Sequence, residues 1–166
     1  MDEEDIAPPN IALENQPLGL SFHPDRDVVA VALIDGTVEV HTYAPGGTAC
    51  ALKLTHHTDS CRAVEFSAAG DALYSVSADK TLCAMDANGQ LVWRQENAHD
   101  AGINVLSLLG NGIGGVAAGG GTCGTCDSGA QGGGAAAAVP AIVATGDDDG
   151  VVRVWDVRQR RAVMEF

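Results

Sequence analysis

The chain has 166 residues, 46% of them hydrophobic, and a formal charge of −13 from 22 acidic and 9 Lys or Arg side chains. This apolar content is enough for a packed core, whereas the acidic balance opposes a phosphate backbone, so direct nucleic-acid binding by this segment is not expected. No apolar run approaches the ~18 residues of a membrane span. The start Met1-Asp2-Glu3-Glu4-Asp5 is acidic where a secretory leader would be basic and then apolar, so an intracellular, soluble protein with reduced thiols is expected.

In chain order, residues 1–9 read as an acidic disordered N-terminus and 10–14 as a short strand. A first unit, 18–55, has apolar runs at 18–22, 28–33 and 38–43, divided by His23-Pro24-Asp25 and Asp35-Gly36. Strand, loop, strand, tight turn, strand is the pattern. A second unit, 56–97, repeats it at 63–66, 72–76 and 81–85, then adds a fourth run at 91–94 after Asn88-Gly89. Phe22 precedes Asp35 by 13 residues and Phe66 precedes Asp79 by 13, the two units being offset by 44. The third unit, 98–166, keeps the register only if 28 residues are set aside. Those lie within 110–138, a tract of Gly, Ala, Ser and Thr too poor in large apolar groups to offset its ordering entropy, expected to be a disordered insertion between two strands.

Four antiparallel strands per ~44 residues make a propeller blade. Helical periodicity is absent, so the expected fold is all-β: about three four-stranded antiparallel blades in an open arc. Rings close with four or more blades. The expectation is therefore a piece of a longer propeller with apolar blade faces exposed, residues 10–14 supplying a strand to the closing blade.

The stretch 142–158, I-V-A-T-G-D-D-D-G-V-V-R-V-W-D-V-R, resembles a WD-repeat protein. The resemblance implies a hydrogen-bonded clamp of His, Ser or Thr, Asp and Trp in each blade. In unit three these would be His99, Thr145, Asp149 and Trp155. Unit two supplies His57, Ser75 and Asp79, with Met85 in place of Trp, and unit one keeps only Asp35, with Leu13, Val31 and His41 at the other places. With P-L-G-L-S-F-H-P, the 56–67 segment and V-S-A-D-K, the chain is most similar to the nucleolar WD-repeat-containing protein fifty-five family. That resemblance covers nearly all of the chain. It implies a non-enzymatic protein-binding propeller in the nucleus and nucleolus, acting in ribosome biogenesis and ribosomal RNA processing with pre-ribosomal assembly factors as partners.

Other chemistries fail on spacing. Asp147-Asp148-Asp149 lacks the alternating ligands and closing Glu of a calcium loop. Cys123-Gly124-Thr125-Cys126 lacks a second ligand pair and sits in a Gly tract. The glycines of 110–134 are closed by no Lys-Ser or Lys-Thr and are followed by no helix, so no phosphate cradle is expected. His56, His57, Asp59, Ser60 and Cys61 hold the ingredients of a nucleophilic site, but blade construction already accounts for them. No catalytic residue, metal site, cofactor, small-molecule substrate or membrane contact is assigned. One sharper resemblance remains. The ending W-D-V-R, with Trp155, Asp156 and Arg158, is similar to the docking box by which some WD proteins bind the adaptor of cullin-RING ubiquitin ligases, implying an alternative role as a substrate receptor.

Overall fold

The computed structural model describes residues 9–109 and 142–166. They form twelve strands: β1 Pro17–Phe22, β2 Val28–Leu33, β3 Val38–Ala44, β4 Gly47–Leu54, β5 Cys61–Phe66, β6 Ala72–Ser77, β7 Leu82–Asp86, β8 Leu91–Gln95, β9 Ile103–Leu109, β10 Ile142–Asp147, β11 Val152–Asp156 and β12 Arg161–Glu165. These build three four-stranded antiparallel sheets, β1 to β4, β5 to β8 and β9 to β12, each in chain order. The described residues contain no helix, and hence none long and apolar enough to cross a membrane. The acidic start and the Gly-rich tract, expected to be disordered, fall almost entirely outside the described residues.

Alternation along the strands gives each blade two apolar faces, since successive side chains leave a strand on opposite sides. Ala30, Ala32, Val38 and Val40 of blade 1 meet Val64, Phe66, Leu73 and Met85 of blade 2 in one core. Tyr74, Val76, Leu82 and Trp93 of blade 2 meet Ile103, Leu108, Val143 and Trp155 in the next. The first strands lie side by side, β1 against β5 and β5 against β9. This contact between the inner strands of successive blades stacks the sheets about a common side. Polar ties cross the same seam. The Arg62 guanidinium of β5 reaches Asn104 and sits 2.9 Å from Oδ2 of Asp148, and the Leu108 amide donates to Glu65 at 3.0 Å.

The 44-residue period is also a period of geometry. The amides of Ile34, Ala78 and Asp148 donate to the carbonyls of Gln16, Ser60 and Gly102 at 3.0, 3.0 and 2.9 Å. Gly36, Lys80 and Gly150 occupy one place in the three second hairpins, with φ of 88°, 67° and 85°. Lys80 adopts a left-handed conformation that Gly accepts without strain, and its Nζ is held by the Asp100 carbonyl at 2.7 Å.

The segment 10–14 pairs with no strand among the described residues. Its apolar side chains Ile11 and Leu13 instead pack on Val29, Val31 and Leu33, the face of blade 1 turned away from blade 2. Blade 1 completes the expected four strands with β4, whose run T-A-C-A-L-K-L after Gly46-Gly47 has no clean alternation.

Candidate functional site: the blade clamps and the docking turn

Blade 2 brings His57, Ser75 and Asp79 together, as expected, but inserts Thr81 between two of them. Nε2 of His57 lies 2.8 Å from the Ser75 hydroxyl and Nδ1 lies 2.7 Å from the Thr81 hydroxyl. Thr81 donates its only hydroxyl proton to Asp79 at 2.5 Å. The His57 Nδ1–H must therefore donate to Thr81, leaving Nε2 to accept from Ser75. Asp79 also accepts from the amides of Thr58 and Thr81, which pins the loop before β5 to the β6–β7 turn. Met85, in the Trp place, is fully buried without a polar role.

These bonds set the charge states. Burial pushes His57 below its ordinary 6.5, only partly opposed by Asp79. Burial pushes the Asp79 carboxyl up, but the Thr81 hydroxyl and the amides outweigh it and hold the group below its ordinary 3.8. The clamp therefore contains a neutral imidazole beside a carboxylate. Burial also pushes the thiols of Cys61 and Cys83 up to about 12 and about 11, which makes both poor nucleophiles.

Blade 3 assembles His99, Thr145 and Trp155, but with a different aspartate. Trp155 Nε1–H donates to Thr145 Oγ1 at 2.8 Å, and Thr145 lies 2.7 Å from Nε2 of His99. The carboxylate at Nδ1 is that of Asp147, at 2.9 Å, not the expected Asp149. Asp149 is exposed. The reason lies two residues beyond it, where blade 2 has Thr81 and blade 3 has Val151. Without that hydroxyl the later aspartate has no bridge to the imidazole. Asp147, at the end of β10, reaches it directly while accepting the Asp149 and Val151 amides at 3.1 and 2.9 Å. Burial pushes the Asp147 carboxyl up, but those amides and His99 outweigh it and hold it low. Sequence register alone cannot find Asp147, because an Asp triplet offers three candidates; the missing Thr at 151 is the available signal.

Blade 1 has no clamp. Asp35 binds its own turn through the Thr37 amide and takes a bond from Asn15 at 2.8 Å, while Leu13 and Val31 are apolar.

The docking-box residues separate. The Trp155 indole N–H is committed to Thr145 and the residue is 4% exposed. Asp156 is also buried, and its carboxylate accepts the amides of Arg158 and Gln159 and the Gln159 side chain, closing the β11–β12 turn. Of the three, only Arg158 is exposed. Trp155 and Asp156 thus hold the blade, and of the three Arg158 is the one whose side chain is exposed.

Three four-stranded antiparallel blades, the third pinned by His99, Thr145, Asp147 and Trp155, have the architecture of a partial WD-repeat propeller, and the chain is similar to that family. The family model for the WD domain, G-beta repeat, matches residues 48–84 and 135–156. Among curated proteins, the chain is 35% identical over 162 residues to WD repeat-containing protein 55 of Rattus norvegicus, covering 96% of this chain and 35% of the relative. It is 32% identical over 161 residues to the WD repeat-containing protein 55 homolog of Drosophila ananassae, covering 96% and 27%. The homolog of Dictyostelium discoideum is 28% identical over 165 residues, covering 99% and 33%. The chain thus spans about a quarter to a third of the length of these relatives.

Proposed function

We propose that this chain is part of a non-catalytic scaffold whose blades hold exposed turns in fixed positions for protein partners, and that it serves ribosome biogenesis in the nucleolus. The observation that carries the first half is the pair of buried clamps. They consume the imidazoles, hydroxyls and carboxylates that would otherwise suggest chemistry, and use them to fix the turns at one end of blades 2 and 3. The second half is supported by the similarity to WD repeat-containing protein 55, which extends over 96% of the chain at 35% identity. Affinity purification of the full-length protein from cells tests it. Recovery of pre-ribosomal assembly factors with a nucleolar signal by microscopy is the expected result, and their absence from both assays overturns it.

The docking box supports a second reading, substrate receptor for a cullin-RING ligase, through one observation: Arg158 is exposed on the turn after β11. A guanidinium there can meet a carboxylate in two-pronged fashion. Recovery of the cullin adaptor, dependent on Arg158, would favour this reading over the first.

A further inference from the structure

Blade 1, which lacks the clamp, carries another constellation at its third strand. Glu39 and His41 project from β3 on the face turned away from blade 2 and are 6% and 5% exposed, with Glu39 Oε2 3.0 Å from His41 Nε2. β3 pairs with β4 through a bulge between Val40 and His41, so that Cys50, not Ala51, stands opposite His41. A bulge re-aims a side chain in this way. One donor atom each from Glu39, His41 and Cys50 lie within 4.8 Å of one another.

Blade design does not impose this set. The corresponding cross-strand pairs are Cys83 with Arg94 and Met85 with Leu91 in blade 2, and Arg153 with Glu165 and Trp155 with Ala162 in blade 3. Those places hold a thiol beside a guanidinium and an apolar pair in blade 2, and an ion pair of 2.6 Å and an apolar pair in blade 3. Only blade 1 puts a carboxylate, an imidazole and a thiol there. It does so in the blade where Leu13 and Val31 have replaced the clamp's His and Ser or Thr.

We propose that Glu39, His41 and Cys50 form a zinc site that fastens β3 to β4 in the blade without a clamp. Zinc takes mixed O, N and S donors at ~2.0–2.3 Å, whereas hard cations such as calcium and magnesium take oxygen donors. The Glu39 and His41 donor atoms are already close enough to share one ion, and the exposed Cys50 on β4 supplies the third. On binding, the Cys50 thiol releases its proton to solvent and the sulfur coordinates as thiolate. His41 coordinates through the Nε2 lone pair, its remaining proton on Nδ1. Carboxylate and thiolate together balance the charge of the ion. Lys53 Nζ sits 3.2 Å from Glu39 Oε1, with a side chain 47% exposed. It neutralises Glu39 when no ion is bound and can swing outward or keep the second oxygen when one is. Solvent at the Cys50 side fills the fourth position.

The test uses the whole chain carrying Cys123→Ala and Cys126→Ala, so that this second thiol pair contributes nothing, titrated with Co²⁺ as a visible surrogate and back-titrated with Zn²⁺. One Co²⁺ per chain, with a thiolate-to-cobalt charge-transfer band and displacement by Zn²⁺, is expected. Cys50→Ala should abolish the band and weaken binding at least ~10-fold, since even losing an outer-shell partner of a ligand costs that much, with an unchanged circular dichroism spectrum because Cys50 is exposed. Lys53→Met should keep the band and bind as tightly or more tightly. Absence of the band in the parent chain overturns the site. So does a band that survives Cys50→Ala, which would place the ion on other thiols, or an affinity that His41→Gln leaves unchanged.

Discussion

His99 and Asp147 meet at 2.9 Å in the interior of blade 3, both side chains at most 2% exposed, while Asp149, in register with Asp79 of blade 2, faces solvent. Asp147→Ala removes the imidazole's partner and uncaps two turn amides, leaving a buried N–H unsatisfied. A loss of about 2–3 kcal/mol is expected. Asp149→Ala should stay within about 0.5 kcal/mol. Urea denaturation of the two variants, compared at constant m-value, checks this; equal losses, or a larger one for Asp149→Ala, would restore the register-based assignment.

Stability should fall as the solution is acidified, in two stages. Burial holds His57 below its ordinary 6.5 in the folded state. Below that pH the unfolded chain takes a proton that the folded chain resists, so acid favours unfolding. One such group contributes at most about 1.4 kcal/mol per pH unit. Asp79 and Asp147 are held below their ordinary 3.8 despite burial. Their contribution is present above that value and is lost as pH falls through the lower folded value. Denaturation midpoints of the parent and His57→Gln between pH 5 and 7.5 separate the first stage from the second. The variant is less stable throughout, but its pH slope should be shallower. An identical slope would mean that His57 takes a proton as readily in the folded blade as in the unfolded chain.

Strand positions were legible because the blades stack face to face, so that runs such as V-V-A-V-A-L at β2 stay apolar almost throughout while Asp-Gly and Asn-Gly mark the turns. His57 with Ser75, and His99 with Thr145 and Trp155, followed from resemblance plus register. Asp147 and Thr81 did not, because which oxygen reaches an imidazole depends on a hydroxyl two residues along the chain, a three-dimensional condition. The Glu39, His41 and Cys50 set was invisible for a similar reason. Glu39 and Cys50 are 11 residues apart in sequence, and only the β3–β4 bulge puts His41 opposite Cys50. Residues 10–14 have the composition of a strand, but composition says nothing about whether a ladder partner is present.

Gly70 is a position where the chain accepts no side chain. Its φ is +70°, and an added Cβ would lie 2.3 Å from Cε1 and 2.4 Å from Nε2 of His23. The imidazole cannot retreat freely, being buried, bonded to the Asp25 amide and 3.1 Å from the Gly70 carbonyl. Gly70→Ala should therefore cost more than the ~1–2 kcal/mol of left-handed strain alone. Gly46→Ala, with nothing within 4 Å of its Cβ, is the matched control and should be close to neutral. Thermal melts of the two variants decide, and a Gly70→Ala protein as stable as Gly46→Ala would show that the seam between blades 1 and 2 yields easily.

Asp156 and Arg158 sit two residues apart and should respond oppositely to two assays. The Asp156 carboxylate closes its own turn, accepting amides at 2.9 and 3.2 Å, and those bonds and the Arg158 charge hold it below the usual carboxylate range although burial pushes it up. Asp156→Ala should lower the denaturation midpoint and weaken partner capture only in proportion to the folded population lost. Arg158→Ala leaves the Arg158 amide bond intact and removes an exposed guanidinium, so stability should stay within about 0.5 kcal/mol. If the turn docks on the cullin adaptor, Arg158→Ala should reduce co-purification of the adaptor several-fold with the fold unchanged, since an exposed charge at an interface rim acts on association rather than folding. Undiminished capture by Arg158→Ala removes the ligase reading, because Trp155 and Asp156 are already committed inside the blade and the turn then has no other docking-box side chain to offer.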